Sequence, residues 1–142
     1  MSKIYEDEFM EVQSDIISLC LELVQNKADK VYAYCSIEEK STSFNAFFEI
    51  NGKIKTLNEL DIDMGVVWEF MDLGISDLEK VREICKTYKQ SIPTEIKMIY
   101  DISTGKYDAD FQYDETSNAN TGFDSSQIFM NWLNEIKAKK EY

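Results

Sequence analysis

The sequence has 142 residues, which suits one domain of ordinary size, and its 44% hydrophobic and 13% aromatic side chains are enough for one packed core. These values exclude fibrous, collagen-like and wholly disordered chains. The 27 Asp and Glu residues against 15 Lys and Arg give a formal net charge of −12, whereas a nucleic-acid-binding domain usually carries positive charge. We therefore expect a single domain over residues 1–142 that does not bind nucleic acid directly.

The distribution of apolar residues argues against a membrane protein. No stretch approaches the roughly eighteen consecutive apolar residues that a membrane span requires. The first eleven residues are acidic, whereas a signal peptide begins with a basic region that an apolar run follows. We expect a cytoplasmic protein with no membrane partner.

Several residue types that enzymes rely on are scarce or absent. The chain contains no histidine, which removes His-based nucleophile relays, most acid–base schemes near neutral pH and the commonest transition-metal ligand. Cys20, Cys35 and Cys85 are too widely spaced for a zinc site or a disulfide framework, so we expect them to be buried apolar side chains. The glycines stand singly, and no phosphate-binding loop is present. We expect no cofactor, no metal and no catalytic residues.

Hydrophobic periodicity predicts one helix and three strands in the first part of the chain. Apolar residues spaced by three and four form one helical stripe that Asn26, in a left-handed conformation, could end. Alternating patterns then predict strands, and Asn51-Gly52 suits a turn because both residues accept positive φ. In chain order these elements are a helix over residues 3–25 and strands over residues 30–37, 43–50 and 53–57.

The second part of the chain returns to a helical period and then alternates again. Asp63 is an acceptable helix cap, and Gly74 followed by the capping-box pattern Ser76-Asp-Leu-Glu79 predicts a break between two helices. Gly105 suits the left-handed position of a tight turn between two later strands. In chain order these elements are helices from residue 61 to 74 and from 76 to about 90, strands over residues 94–102 and 107–114, and a last helix after Asp124.

The order of these elements predicts an α+β fold. No strand–helix–strand series is long enough to demand a parallel sheet. We therefore expect an antiparallel sheet of two hairpins, with four or five strands. The N-terminal, central and C-terminal helices are expected to pack on one face of it.

Acidic pairs give only a weak signal for a metal or catalytic site. For 27 acids in 142 residues, pairs spaced by two positions are no more frequent than chance predicts. Glu59, Asp61 and Asp63 resemble the start of a calcium loop. However, Met64 stands where that loop needs glycine, and Phe70 stands where its bidentate glutamate belongs.

The sheet face opposite the predicted core combines aromatic and acidic side chains. Alternation places Tyr32 and Tyr34 on this face, near a row of carboxylates that includes Asp108, Asp110 and Asp114. Exposed aromatic rings beside dense negative charge suit an interface with a basic partner. The alternative is that a helix covers the aromatic rings and that water solvates the acids.

Three segments of the sequence resemble the YezG-like antitoxins, small immunity proteins of polymorphic toxin systems, including contact-delivered ones. They are Asp29-Lys-Val-Tyr-Ala-Tyr34, Val67-Trp-Glu-Phe-Met-Asp-Leu73 and Thr104-Gly-Lys-Tyr-Asp-Ala-Asp-Phe-Gln-Tyr-Asp114. The resemblance implies an α+β fold without enzymatic activity. Its implied role is to bind and neutralise a cognate toxin domain, commonly a nuclease.

A nuclease cleft is basic because it accepts phosphates, so an acidic protein can occupy or occlude it. Strand geometry then suggests one set of partner-binding residues, with a second acidic patch beside it. The first set is Tyr32, Tyr34, Asp108, Asp110, Asp114 and Glu115, and the second is Glu59, Asp61 and Asp63. Homodimerisation stays open. The alternatives are a small metal-dependent or hydrolytic enzyme that uses paired carboxylates, and a non-enzymatic adaptor subunit.

Overall fold

A computed structural model describes residues 4–38, 41–114 and 124–140. Its helices are α1 (Tyr5–Leu23), α2 (Met64–Thr87) and α3 (Ser125–Lys140). Its strands are β1 (Lys30–Glu38), β2 (Ser41–Ile50), β3 (Lys53–Thr56), β4 (Glu95–Asp101) and β5 (Lys106–Gln112). A 3₁₀ turn over Leu57–Glu59 connects β3 to the segment before α2.

The five strands form one antiparallel sheet in the order β3-β2-β1-β4-β5. β1 is central and pairs with β2 and β4, so that Tyr32 lies opposite Phe47 on one side and Ile99 on the other. β3 and β5 are the two edges. The α+β prediction and the prediction of two hairpins are therefore confirmed.

The main core lies between one face of the sheet and the helices α1 and α2. β1 contributes Val31, Ala33 and Cys35 to this core, as the alternation of the strand predicts. The helices contribute their apolar stripes, which include Ile16 of α1 and Leu78 of α2, both fully buried.

The opposite face of the sheet carries a second apolar cluster beneath α3. The rings of Tyr32 and Phe47 stack with centroids 4.5 Å apart, and the ring of Trp132 packs edge-on against both. Phe129 and Leu133 complete the buried stripe of α3. The expectation that all the helices pack on one face is wrong, because the apolar side chains of β1 and β2 need cover on both sides of the sheet.

α2 runs without a break from Met64 to Thr87. Asp63 caps it as predicted, since its Oδ1 accepts a hydrogen bond of 2.7 Å from the N–H of Gly65. The predicted break at Gly74 is wrong, and the Ser76–Glu79 pattern lies inside the helix. Gly74 is buried where the helix approaches the ring of Phe44, so its lack of a side chain serves packing.

Local turn chemistry follows the sequence closely. Asn51 and Gly52 have φ values of 53° and 78°, Gly105 has a φ of 74°, and Asn26 follows α1 with a φ of 59°. The Asn51-Gly52 turn joins β2 to β3, and the turn at Gly105 joins β4 to β5. In the described ranges, no helix is both long and apolar enough to cross a membrane.

Candidate interaction surfaces

Tyr32 and Tyr34 do not lie on a solvent-facing surface, and their predicted exposure is wrong. Their exposed fractions are 4% and 1%, because α3 covers them. The Tyr34 hydroxyl donates a 2.9 Å hydrogen bond to Oε1 of the buried Glu95. Burial raises the pKa of Tyr32 to about 12 and also raises the pKa of Tyr34. Both phenols are therefore neutral core groups, and a partner cannot reach them while α3 is in place.

The acidic residues of β5 are exposed as the alternation predicts. Asp108 and Asp110 lie on the outermost strand, opposite Ile99 and Lys97 of β4. Asp108 also lies 3.8 Å from Nζ of Lys106, in an ion pair that is open to water. No described strand pairs with the outer side of β5. We call Asp108, Asp110 and Asp114 the β5 acidic edge.

The β5 acidic edge ends at Asp114. Asp114 lies just beyond β5 with its side chain exposed, and its carbonyl accepts a hydrogen bond from the Thr94 hydroxyl. Glu115, the neighbouring residue that the sequence suggests for partner binding, lies outside the described residues.

The second acidic patch combines exposed charge with local structural roles. Glu59 Oε1 accepts hydrogen bonds of 3.0 and 3.1 Å from the N–H and hydroxyl of Thr56, and these bonds lower the pKa of Glu59. Asp63 caps α2, while Asp61 stands exposed between the 3₁₀ turn and the helix. All three side chains are accessible to a partner.

The fold does not bring the two acidic patches together. The second patch follows β3 at one edge of the sheet, whereas Asp108 and Asp110 belong to β5 at the other. Four interstrand spacings of about 4.8 Å separate these edges by about 19 Å. They are two surfaces, which a single partner would engage in different ways.

Sequence reasoning missed an exposed apolar groove beside the second patch. Trp68 of α2 is 65% exposed, and Met64 and Met130 are about half exposed. The space between α2, the 3₁₀ turn and α3 has a volume of about 510 Å³. We call it the Trp68 groove, and its lining includes Leu57, Met64, Val67, Trp68, Met71, Phe129 and Met130.

The spacing of the apolar residues in α2 indicates that Trp68 is exposed. The buried stripe of this helix begins with Val67, Phe70 and Gly74 and continues at intervals of three or four residues. Trp68 falls outside that stripe, one position from Val67 and two from Phe70. A tryptophan off the buried stripe of an amphipathic helix is a surface residue.

The segment that contains Trp68 is rich in acids. Residues 59–79 contain seven acids and no Lys or Arg. The acids are Glu59, Asp61, Asp63, Glu69, Asp72, Asp77 and Glu79. Asp72 is exposed one helical turn after Trp68, on the same side of α2. Asp77 and Glu79 are paired with Lys80 and Arg82, and Lys55 and Lys137 lie near Glu59. The negative charge beside Trp68 therefore comes mainly from Asp61, Asp63, Glu69 and Asp72.

The three cysteines are all buried and none forms a disulfide, as the sequence predicts. Burial raises the pKa of Cys20, Cys35 and Cys85, so their thiols are protonated and unreactive at neutral pH. In the part of the chain that the structure describes, no group of three or more Cys, Asp or Glu side chains could hold a metal ion.

Comparison with known proteins adds no relative from which a role could be transferred. No protein-family model matches the chain, and no curated protein is significantly similar to it.

Proposed function

We propose that this protein is a cytoplasmic immunity protein, which binds a cognate toxin domain and neutralises it. The observation that carries the proposal is the exposed row of carboxylates on the β5 acidic edge, in a chain of net charge −12. The toxin domain is a basic nuclease, whose phosphate-binding cleft complements this surface.

Electrostatics explains how such a surface would act. Carboxylates that face water raise the encounter rate with a basic partner and disfavour acidic competitors. Occupation of the cleft, or of a surface beside it, keeps nucleic acid out because the phosphates meet like charge. This mechanism needs neither a cofactor nor a catalytic residue in the immunity protein.

The resemblance to YezG-like antitoxins supports the same proposal. Two of the three resembling segments contain exposed residues that belong to the surfaces described above, Trp68 and Asp72 in α2 and Asp108 and Asp110 in β5. The third segment contains Tyr32 and Tyr34, which are core residues.

The direct test is co-expression with the C-terminal region of the protein that the adjacent upstream reading frame encodes. Growth rescue, together with a 1:1 complex that co-purifies through moderate salt, supports the proposal. Toxicity that this chain does not relieve, with no complex, contradicts it. An active-site variant of the toxin domain serves as control, because it should bind without any need for rescue.

A further inference from the structure

We propose that the Trp68 groove is the docking site for an apolar side chain that projects from a basic segment of the toxin domain. This inference rests on the proposed function and names the surface that holds the complex together. The β5 acidic edge and the Trp68 groove then have different tasks. The edge attracts the partner over a distance, and the groove retains it.

The exposure of Trp68 is the first argument. Tryptophan carries one of the largest apolar surfaces of any side chain, yet Trp68 is 65% exposed, whereas Trp132, the other tryptophan, is 6% exposed. Exposed apolar clusters of this kind on a monomer mark interaction sites. Tryptophan is also among the residues most enriched at the energetic centres of protein interfaces.

The shape of the groove is the second argument. α2 supplies Met64 and Trp68, α3 supplies Phe129 and Met130, and Leu57 of the 3₁₀ turn completes the lining. Its volume of about 510 Å³ lies within the range of pockets that receive small molecules, so one or two large side chains fit. Methionine side chains adapt their shape to whatever enters, which suits a docking surface.

The charge around the groove identifies the occupant. The exposed acids before and along this part of α2 are Glu59, Asp61, Asp63, Glu69 and Asp72, and the bases Lys55 and Lys137 lie near Glu59. Because the acids outnumber these bases, an apolar side chain flanked by Arg or Lys is favoured over one flanked by acids. Asp61 and Asp72 are exposed on the two sides of Trp68 in the sequence. The partner segment is therefore an apolar anchor with basic neighbours, which a basic nuclease domain can present.

The test measures the binding kinetics of the inactive toxin domain with Trp68→Ala and with a matched pair of methionine variants. Trp68→Ala should raise the dissociation constant at least about 30-fold, which at 1.4 kcal/mol per tenfold is about 2 kcal/mol. The change should lie in the dissociation rate. Met64→Ala should weaken binding, whereas Met10→Ala on α1 should not, although the two methionines are 50% and 52% exposed.

The outcomes separate this inference from the proposed function. If the wild-type chain forms no complex with the toxin domain, that result contradicts both the proposed function and the groove assignment. If it forms a complex that Trp68→Ala leaves within about twofold of the wild-type affinity, only the groove assignment falls. Because Trp68 is exposed, Trp68→Ala should keep the wild-type thermal midpoint.

A second measurement substitutes no residue that lines the Trp68 groove. In a Trp132→Phe background, Trp68 is the only tryptophan in the chain. Its emission should shift to the blue and become protected from acrylamide when the toxin domain, prepared without tryptophan, binds. Binding with unchanged emission and quenching overturns the groove assignment.

Discussion

Gly74 of α2 lies directly against the ring of Phe44 in β2. A Cβ atom at Gly74 would stand 2.1 Å from Cδ2 and 2.4 Å from Cε2 of that ring. Phe44 is itself buried and packs against Phe70, with ring centroids 5.2 Å apart. The glycine therefore sets how closely the helix approaches the sheet.

Gly74→Ala should destabilise the protein, although helix propensity alone favours alanine over glycine by about 1 kcal/mol. The added methyl group forces the Phe44 ring or α2 to move, and overpacking of this kind costs about 1–3 kcal/mol. Urea unfolding measures the effect. Ser76→Ala, an exposed position in the same helix, is the control and should change stability little. A Gly74→Ala variant more stable than the wild type contradicts the packing role.

The same position shows why part of the fold could be predicted from sequence and part could not. Turn residues such as Asn51 and Gly105 act locally, so the β2–β3 and β4–β5 hairpins could be predicted from residues that are close in the chain. The need for glycine at position 74 comes from its contact with Phe44, which lies in a different element. No local sequence pattern reveals that contact. Ser76–Glu79 satisfies a local cap pattern that the continuous helix overrides.

The burial of both faces of β1 is the second feature that the sequence pattern did not predict. The strand carries no charged residue between Lys30 and Glu38, which is typical of a strand covered on both sides. The alternation of apolar and polar residues assigned Tyr32 and Tyr34 to a solvent-facing side of the sheet. This pattern cannot show that α3, far along the chain, covers them. The exposure of Asp108 and Asp110 was predictable because β5 has a polar face.

Tryptophan fluorescence of the free protein should separate its two tryptophans. Trp68→Phe leaves Trp132, which is buried between α3 and the sheet, so the emission should be blue and acrylamide should quench it little. Trp132→Phe leaves Trp68, whose emission should be red and strongly quenched. Equal quenching in the two variants contradicts the exposures described here.

Charge reversal on the β5 acidic edge should slow association with the toxin domain. Asp108→Lys with Asp110→Lys changes the formal charge by four units, and the same change at Asp7 and Asp15 of α1 is the control. Stopped-flow mixing at low salt measures the rates. The β5 variant should lose more of its association rate than the control, with less effect on dissociation. Association rates that are equal in the two variants contradict this assignment.

Alkaline pH should destabilise the protein partly through Tyr32. Burial is the main cause that raises the pKa of this phenol from 10.0 to about 12, with the charges of Glu49 and Asp101 contributing. The neutral phenol stabilises the fold fully below pH 10, and this contribution is lost as the pH rises through 12.

Unfolding free energies from about pH 9 to about pH 11 test this dependence. Tyr32→Phe should flatten the alkaline fall in stability. Tyr113→Phe, at an exposed position, controls for the loss of a hydroxyl group. A fall of the same steepness in Tyr32→Phe and the wild type contradicts the role of this phenol.

The central position of β1 also governs how the chain reaches its native state. β1 meets β2 across a short connection, but it meets β4 only after the whole of α2. The two hairpins therefore form from contacts that are close in the chain, whereas the β1–β4 ladder must close a long loop. We expect the docking of one hairpin onto the other, with α2 already helical, to determine the refolding rate.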